Sequence, residues 1–310
     1  FLTDNDTASI DTMVKWSQEV VQFIKAYHDE HYAWLDSFAS YPSGHLGMVS
    51  PDGSLELYDG VLRAIDHVGD VTLQDIPAND YLKYFGEGVE KWSYMKFPFL
   101  RHLGRQKGWN RVGPLARLNV CDYIPTPRAD AELREFRAYT NGKTNNHTMH
   151  SHWARLIELL HCAEAIKELL HDADIAGTDL LNKGSMQGCG IGVIEAPRGT
   201  LFHHYEIDDD GIVNKANLIV STTNNNQVMN ESIRQVASHY LDGKELTEPL
   251  LNQIEVAVRA YDPCLSCATH ALGKMPLEVR LVNADGKLIE RRFRDAGANA
   301  SMRGQAAEHD

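Results

Sequence analysis

Asp262-Pro263-Cys264-Leu265-Ser266-Cys267-Ala268-Thr269-His270 is the stretch on which the reading of this chain turns. Its two thiols stand at CxxC spacing, so a single turn of backbone can present both to one metal ion. Thiolate is a soft donor that suits nickel, zinc, copper(I) and iron–sulfur iron. The spacing alone leaves several readings open. Half a zinc site needs a second ligand pair, and Cys121, Cys162 and Cys189 form no such pair. A thioredoxin-like redox pair should open a helix after a strand, whereas this one follows a helical run. Two buried cysteines without a ligand are the third reading.

Two upstream stretches add polar chemistry. Glu195-Ala196-Pro197-Arg198-Gly199-Thr200 lies between two strand-like runs, and a proline beside Arg198 stiffens the backbone that carries its guanidinium. A fixed guanidinium offers several donors and a permanent charge, which suits an anion or a metal-bound anion; a surface arginine in a turn reads as plainly. Ser221-Thr222-Thr223-Asn224-Asn225-Asn226 directly follows a strand. Its hydroxyls and amides could bind a ligand, and the blander expectation is that they cap the helix beginning near Asn225. His147, His150, His152 and His161 show no HExxH spacing and read as structural histidines. Gly188-Cys189-Gly190-Ile191-Gly192 lacks a phosphate-loop context, and we expect it to permit close backbone packing.

The patterning around these motifs predicts long helices and a smaller β portion. Apolar positions recur at helical spacing over 7–38 and, most clearly, over 148–171. Strands are expected at 192–195, 200–207 and 212–220, with Asp208-Asp209-Asp210-Gly211 as the turn. Residues 225–240 and 248–261 read as helices, and 277–281 with 288–293 as a hairpin around Asn283-Ala284-Asp285-Gly286. Residues 45–75 read as short, turn-rich pieces in which Leu55-Glu56-Leu57-Tyr58 alternates like a strand. A helix is expected near 79–89, irregular connection over 96–130, and a polar, unstructured end over 296–310.

Composition narrows the function classes. The 43 acidic against 30 basic residues give a net charge of −13, which argues against a nucleic-acid binder. No apolar run approaches the roughly 18 residues of a membrane helix. The five cysteines are an odd count, which together with the lack of an export signal points to a reducing compartment. Phe1 to Asp6 lack the basic and apolar regions of a signal peptide, and a start other than Met predicts a chain truncated at its front.

Taken in order, the Arg198 motif, Ser221-Thr222-Thr223-Asn224-Asn225 and the Asp262–His270 stretch resemble the large subunit of nickel–iron hydrogenases. The wording is most similar to the cytoplasmic, multi-subunit, NAD(P)-coupled branch. Gly113-Pro114-Leu115-Ala116-Arg117-Leu118-Asn119-Val120 and the His152 to Glu164 helix share that likeness. The resemblance implies a mainly α fold with a small β portion (α+β). It implies that Cys264 and Cys267 supply two of four thiolates to a nickel–iron centre, Cys264 as terminal nickel ligand and Cys267 as a bridge. The iron would also carry CO and cyanide ligands. Arg198 would overhang the metals as a candidate base for H2 cleavage, held by Asp262. Pro197 would line a cyanide pocket, Ser221 or Thr222 would hydrogen-bond a cyanide, and His270 would bind Mg2+.

The chain departs from the family pattern in two respects. The earlier cysteine pair that supplies the other two thiolates is absent, so residues 1–270 read as the C-terminal part of a large subunit, inactive alone. Residues 271–310 read as a tail that a dedicated protease removes after His270, which makes this a precursor form. The implied partners are an iron–sulfur small subunit, a flavin module that reduces NAD(P), maturation chaperones and the tail protease. Iron–sulfur clusters, flavin and NAD(P) would sit on those partners, and H2 and protons would be the substrates. The alternative is a non-catalytic scaffold subunit related to the complex I paralogue.

Overall fold

The computed structural model describes residues 4–181, 183–241, 243, 245–265 and 277–294. Helix α1 (Asp4–Ser37) opens the chain and bends at His31, whose φ of −119° and ψ of 16° break the helical run. Three strands follow: β1 (Gly44–Val49), β2 (Val61–Ile65) and β3 (Val71–Pro77), paired antiparallel. The short helix α2 (Tyr81–Tyr84) leads into a hairpin of β4 (Phe85–Gly88) and β5 (Phe97–Leu100). The two-residue strand β6 (Asn110–Arg111) then runs parallel to β1 and completes a sheet in the order β3-β2-β1-β6.

Helices α3 (Pro114–Val120) and α4 (Pro127–Tyr139) pack against α5 (Ser151–Leu169), which also packs against α1. Val14, Val21, Leu118, Leu133, Phe136, Trp153, Ile157 and Leu160 form their shared core. The β-meander comes next: β7 (Cys189–Ala196), β8 (Gly199–Ile207) and β9 (Val213–Ile219). Val193, Phe202 and Ile219 join Leu46, Met48 and Leu62 in a second core, which ties the meander to the first sheet. The one-turn helix α6 (Ser221–Asn224) leads into α7 (Asn226–Tyr240), and α8 (Glu248–Ala260) packs on α7. Thr247 caps α8 by accepting from the Leu250 N–H, with Pro249 in the first turn. The hairpin of β10 (Leu277–Val282) and β11 (Leu288–Arg294) sets Leu281 into the α7–α8 cluster, and Glu290 accepts from the Leu246 N–H at 2.7 Å.

The α+β class holds, with the long helices, the meander and the hairpin where the pattern predicts them. Four expectations need correction. Residues 45–75 form three paired strands, and Leu55–Tyr58 contributes only the bridge from Val49 to Leu55. The helix expected at 79–89 shrinks to Tyr81–Tyr84, because Phe85–Gly88 pairs with Phe97–Leu100. The stretch 96–130 is not irregular: it holds β5, β6 and α3, and six of the seven α3 residues are buried, which leaves no polar face to read. The glycines at 188–192 do not serve close packing, since an added Cβ at Gly190 or Gly192 meets nothing within 4 Å. Residues 266–270 and 296–310 lie outside the described residues, with the expectations made for them.

Candidate metal centre

Arg198 is positioned by a turn that the surrounding charges hold from below. Ala196 pairs with Gly199, so Pro197 and Arg198 form a tight connection between β7 and β8. Gly199 has φ +127°, and an added Cβ would stand 2.3 Å from the Val112 side chain, so only glycine fits. Beneath the turn lies Arg117 of α3. Its guanidinium makes two bonds to Glu158 (2.7 and 2.6 Å) and one to Glu195 (2.7 Å), and donates to the carbonyls of Ala196 and Pro197 at 2.9 and 3.4 Å. The other Glu195 oxygen accepts from the Met48 N–H at 3.1 Å and the Thr200 hydroxyl at 2.7 Å. All three charged side chains are buried. Burial pulls the Arg117 pKa down, but the two carboxylates more than offset it and the net shift is upward. One cation is thus shared by two buried carboxylates directly behind Arg198, and burial pushes the Glu195 pKa up against the pull of Arg117.

On the solvent side, Arg198 meets the arm that follows α8. Its Nε donates to the Asp262 carbonyl at 2.6 Å and stands 3.5 Å from an Asp262 carboxylate oxygen. The Arg198 terminal nitrogens make no hydrogen bond among the described residues. Asp262 itself adopts φ 49°, a left-handed conformation in a non-glycine residue, and this turns the chain toward the arginine. Two residues on, the Cys264 N–H donates to Thr222 Oγ1 at 3.1 Å. Ser221 sits below, its hydroxyl donating to the Gly199 carbonyl at 2.6 Å. The structure thus brings Pro197, Arg198, Ser221, Thr222, Asp262 and Cys264 together from three separate stretches. Cys267 and His270 lie outside the described residues.

The asparagines do not cap α7, contrary to expectation. Asn225 accepts from the Val112 N–H at 2.9 Å and donates to its carbonyl at 3.3 Å, pairing with that backbone on both sides. Asn224 donates to the Thr200 carbonyl and Asn226 to the Lys96 carbonyl. These side chains fasten α6 to the strands, which fixes where Ser221 and Thr222 point.

Two further side chains at this point escaped the sequence reading as site residues. Arg155 of α5 donates to the Ala260 carbonyl and contacts His152 Nδ1, both at 3.2 Å, and its buried Nε has no partner. Burial lowers the Arg155 pKa, and the charges of Asp262 and Glu158 oppose the shift. Burial, reinforced by the Arg155 charge, pushes His152 down to about 4 against the pull of Asp262. The site therefore presents two guanidinium groups, a neutral imidazole, one carboxylate and the Cys264 sulfur. An arginine on the apolar helix α5 was the available signal for Arg155.

Among the described residues, one group of three potential metal ligands stands elsewhere, at His28, Asp36 and His150. Its hydrogen bonding is only partly satisfied: His28 Nε2 stands 2.5 Å from His150 Nε2, and the buried His28 Nδ1 has no partner. The His147 N–H donates to Asn145 Oδ1, which turns the Asn145 amide nitrogen toward His150 Nδ1 at 2.8 Å. That leaves the His150 Nε2 proton for Asp36 Oδ1 at 2.9 Å, while Tyr139 donates to the second Asp36 oxygen at 2.7 Å. His161 Nδ1, apart from this group, bonds the Thr126 hydroxyl at 2.9 Å.

Residues 67–270 match the family described as nickel-dependent hydrogenase. This chain belongs to that family. It is 50% identical over 290 residues to the NAD-reducing hydrogenase HoxS subunit beta of Cupriavidus necator, covering 92% of this chain and 59% of that protein. It is 40% identical to a subunit of the vhc F420-non-reducing hydrogenase of Methanococcus voltae, covering 93% of this chain and 60% of that one. Among solved structures, an NAD+-reducing NiFe-hydrogenase in the H2-reduced state superimposes with a TM-score of 0.82 at 46% identity. That match covers 87% of this chain and 60% of the other. A NiFeSe-hydrogenase from Dm. baculatum at 19% identity shares the fold, with a TM-score of 0.61. The chain therefore spans about three-fifths of the length of the relatives it matches. Family membership implies a nickel–iron centre and places the large-subunit-like fold on firm ground. No helix among the described residues is long and apolar enough to cross a membrane.

The donor chemistry at the Arg198 turn fits such a centre. Cys264 is half-buried and its sulfur is disulfide-bonded in this structure, so ligation would need the reduced thiol. The terminal nitrogens of Arg198 make no hydrogen bond among the described residues, and the buried Arg155 Nε has no partner. Unsatisfied cationic donors beside a cysteine sulfur favour an electron-rich, anionic occupant.

Proposed function

We propose that this chain is the part of a nickel–iron hydrogenase catalytic subunit that carries the C-terminal thiolate pair, and that the assembled enzyme cleaves H2 heterolytically. The observation that supports this reading best is the junction of Arg198, Asp262, Thr222 and Cys264, with three stretches of sequence meeting at a cysteine. Cys264 and Cys267 would be metal ligands, and His270 would hold Mg2+. CO and cyanide on the iron would face Pro197, Ser221 and Thr222. Bound nickel and iron would take up the electron pair of H2, which no side chain here can do.

The protein's own groups handle the proton and the geometry. Asp262 fixes Nε of Arg198 through its carbonyl and leaves the terminal nitrogens free to face the bound group. Oxidation of H2 releases two protons along with that electron pair; a ligating thiolate, or Arg198 in its neutral form, would accept the first proton, and the second would pass to water. The buried Arg117 cluster keeps the turn from shifting. Electrons would pass to NAD(P) through a flavin module, by way of an iron–sulfur small subunit, in keeping with the NAD-reducing relatives.

The other two thiolates would come from the two-fifths of the subunit length that this chain does not span, so these 310 residues are inactive by themselves. Residues 271–310 would be the tail that maturation removes, and a reducing, cytoplasmic setting suits the free thiols of Cys121, Cys162 and Cys189. A scaffold role is favoured instead if no second cysteine pair joins this one. The test is Arg198→Lys in the complete, assembled subunit. Nickel content should stay unchanged, while H2-driven NAD(P) reduction should fall by about 100-fold, as for loss of an aligned charge donor. Unchanged activity would sink the role given to Arg198.

A further inference from the structure

Helices α1 and α5 carry an apolar face that no described residue covers. On α1, Met13, Trp16, Val20, Phe23 and Tyr27 are all exposed, Trp16 by 62% and Phe23 by 68%. They follow one another in steps of three and four, the seam of a helix built to pack against another helix. On α5, Leu159, Ile166 and Leu169 are exposed and Cys162 is half-buried, again in steps of three and four.

The two seams lie on the same side of the helix pair. Asp11 pairs with Lys167 at 2.6 Å near one end, and His28 contacts His150 near the other, so the helices are antiparallel. Each seam stands one position before a core-facing row: Val14, Ser17, Val21 and His28 on α1, Leu160 and Ala163 on α5. In antiparallel right-handed helices, positions one step before the contact row point to the same side. The opposite side belongs to α4. Gln18, Gln22 and Lys25 of α1 reach Glu132 there, and Glu164 of α5 accepts from the Arg128 and Ala129 N–H groups. Helix α5 thus meets α4 with a polar flank and leaves the apolar one open. An open apolar surface of this kind marks a contact site.

We propose that this face seats helices from the portion of a nickel-dependent hydrogenase subunit that the present chain does not span. Length identifies the occupant. The solved NAD+-reducing relative matches 87% of this chain but only 60% of its own, so two-fifths of that subunit lies outside the shared fold and is the candidate to cover it. The continuous α1–α5 face is helical, apolar and uncharged along its seams, and it takes a helix with its own apolar row. Trp16 and Phe23 are the anchors, as large aromatic groups in the middle of a seam.

The test is co-expression of the full 310-residue chain, tagged, with the unmatched portion of that relative. The two should purify together. The double variant Trp16→Glu/Phe23→Glu should recover about tenfold less partner, the loss expected when aromatic anchors are removed. Both side chains are solvent-exposed in the chain alone, so the variant should keep the helical circular dichroism of the parent. In a second readout, Phe23→Cys should be alkylated slowly in the complex and quickly in the chain alone, with Tyr58→Cys, exposed elsewhere, fast in both. The proposal is overturned if the two polypeptides do not purify together, or if the charged variant retains its partner. It is also overturned if the seam instead pairs two copies of this chain. Neither readout depends on nickel, so the outcome is independent of the role given to Arg198.

Discussion

The turn that carries Arg198 and the arm that carries Cys264 meet in one site, yet they are built in opposite ways. The turn rests on a buried ionic cluster in which Arg117 alone makes hydrogen bonds to Glu158, Glu195, Ala196 and Pro197. Among the described residues, bonds from Arg198 to the Asp262 carbonyl and from the Cys264 N–H to Thr222 join the arm to the site. Damage to the turn should therefore appear as lost stability. Damage to the arm should appear as lost alignment with the fold intact.

The largest expected effect is on the turn. Arg117→Met leaves Glu158 and Glu195 buried without their cation, which should destabilise the chain by about 3–5 kcal/mol in a urea titration. A loss below about 1 kcal/mol would show that the cluster is not what holds the turn.

Acid should act on the same rigid half. Burial, with the Arg111 charge, pushes His45 down to about 3. Burial, with His28 and His147 nearby, takes His150 to about 3 as well. Unfolded histidine takes up a proton below about pH 6.5, while these folded imidazoles stay neutral, so stability is lost as pH falls through that window. At pH 5 each should cost about 2 kcal/mol, measured as a falling denaturation midpoint. A midpoint flat from pH 7 to 5 would contradict this.

The smallest effect belongs to the arm. Thr222→Val removes the acceptor for the Cys264 N–H and should cost about 1 kcal/mol or less overall. The Cys264 amide should nevertheless exchange with solvent at least tenfold faster, a local opening that the global midpoint does not report. Equal protection in both proteins would place the hold on the arm elsewhere.

The elements legible in the sequence were those with a water-facing side. Strand β8 of the meander alternates because one of its faces is covered, and α7 and α8 show a clear apolar stripe. Helix α3 was illegible because Leu115, Ala116, Arg117 and Leu118 are all buried, and a helix covered all round loses its period. Strands β1 to β3 were obscured in the same way, with five of the six β1 residues buried. At the candidate site, Arg198 and Asp262 could be paired through the family resemblance. The roles of Arg117 and Arg155 could not, since each depends on partners that only the fold brings near: Glu195 lies 78 positions from Arg117, and Ala260 lies 105 from Arg155.

The Glu195 side chain also bears on the order in which the molecule is made. It joins Met48, 147 positions away, to Thr200 in the adjacent turn and to Arg117 on α3. Closing so long a loop has an entropic cost that must be met before the bond repays it, so contacts of this kind form late and slow the approach to the native state. The Arg198 turn thus reaches its final geometry only after both sheets and α3 have docked.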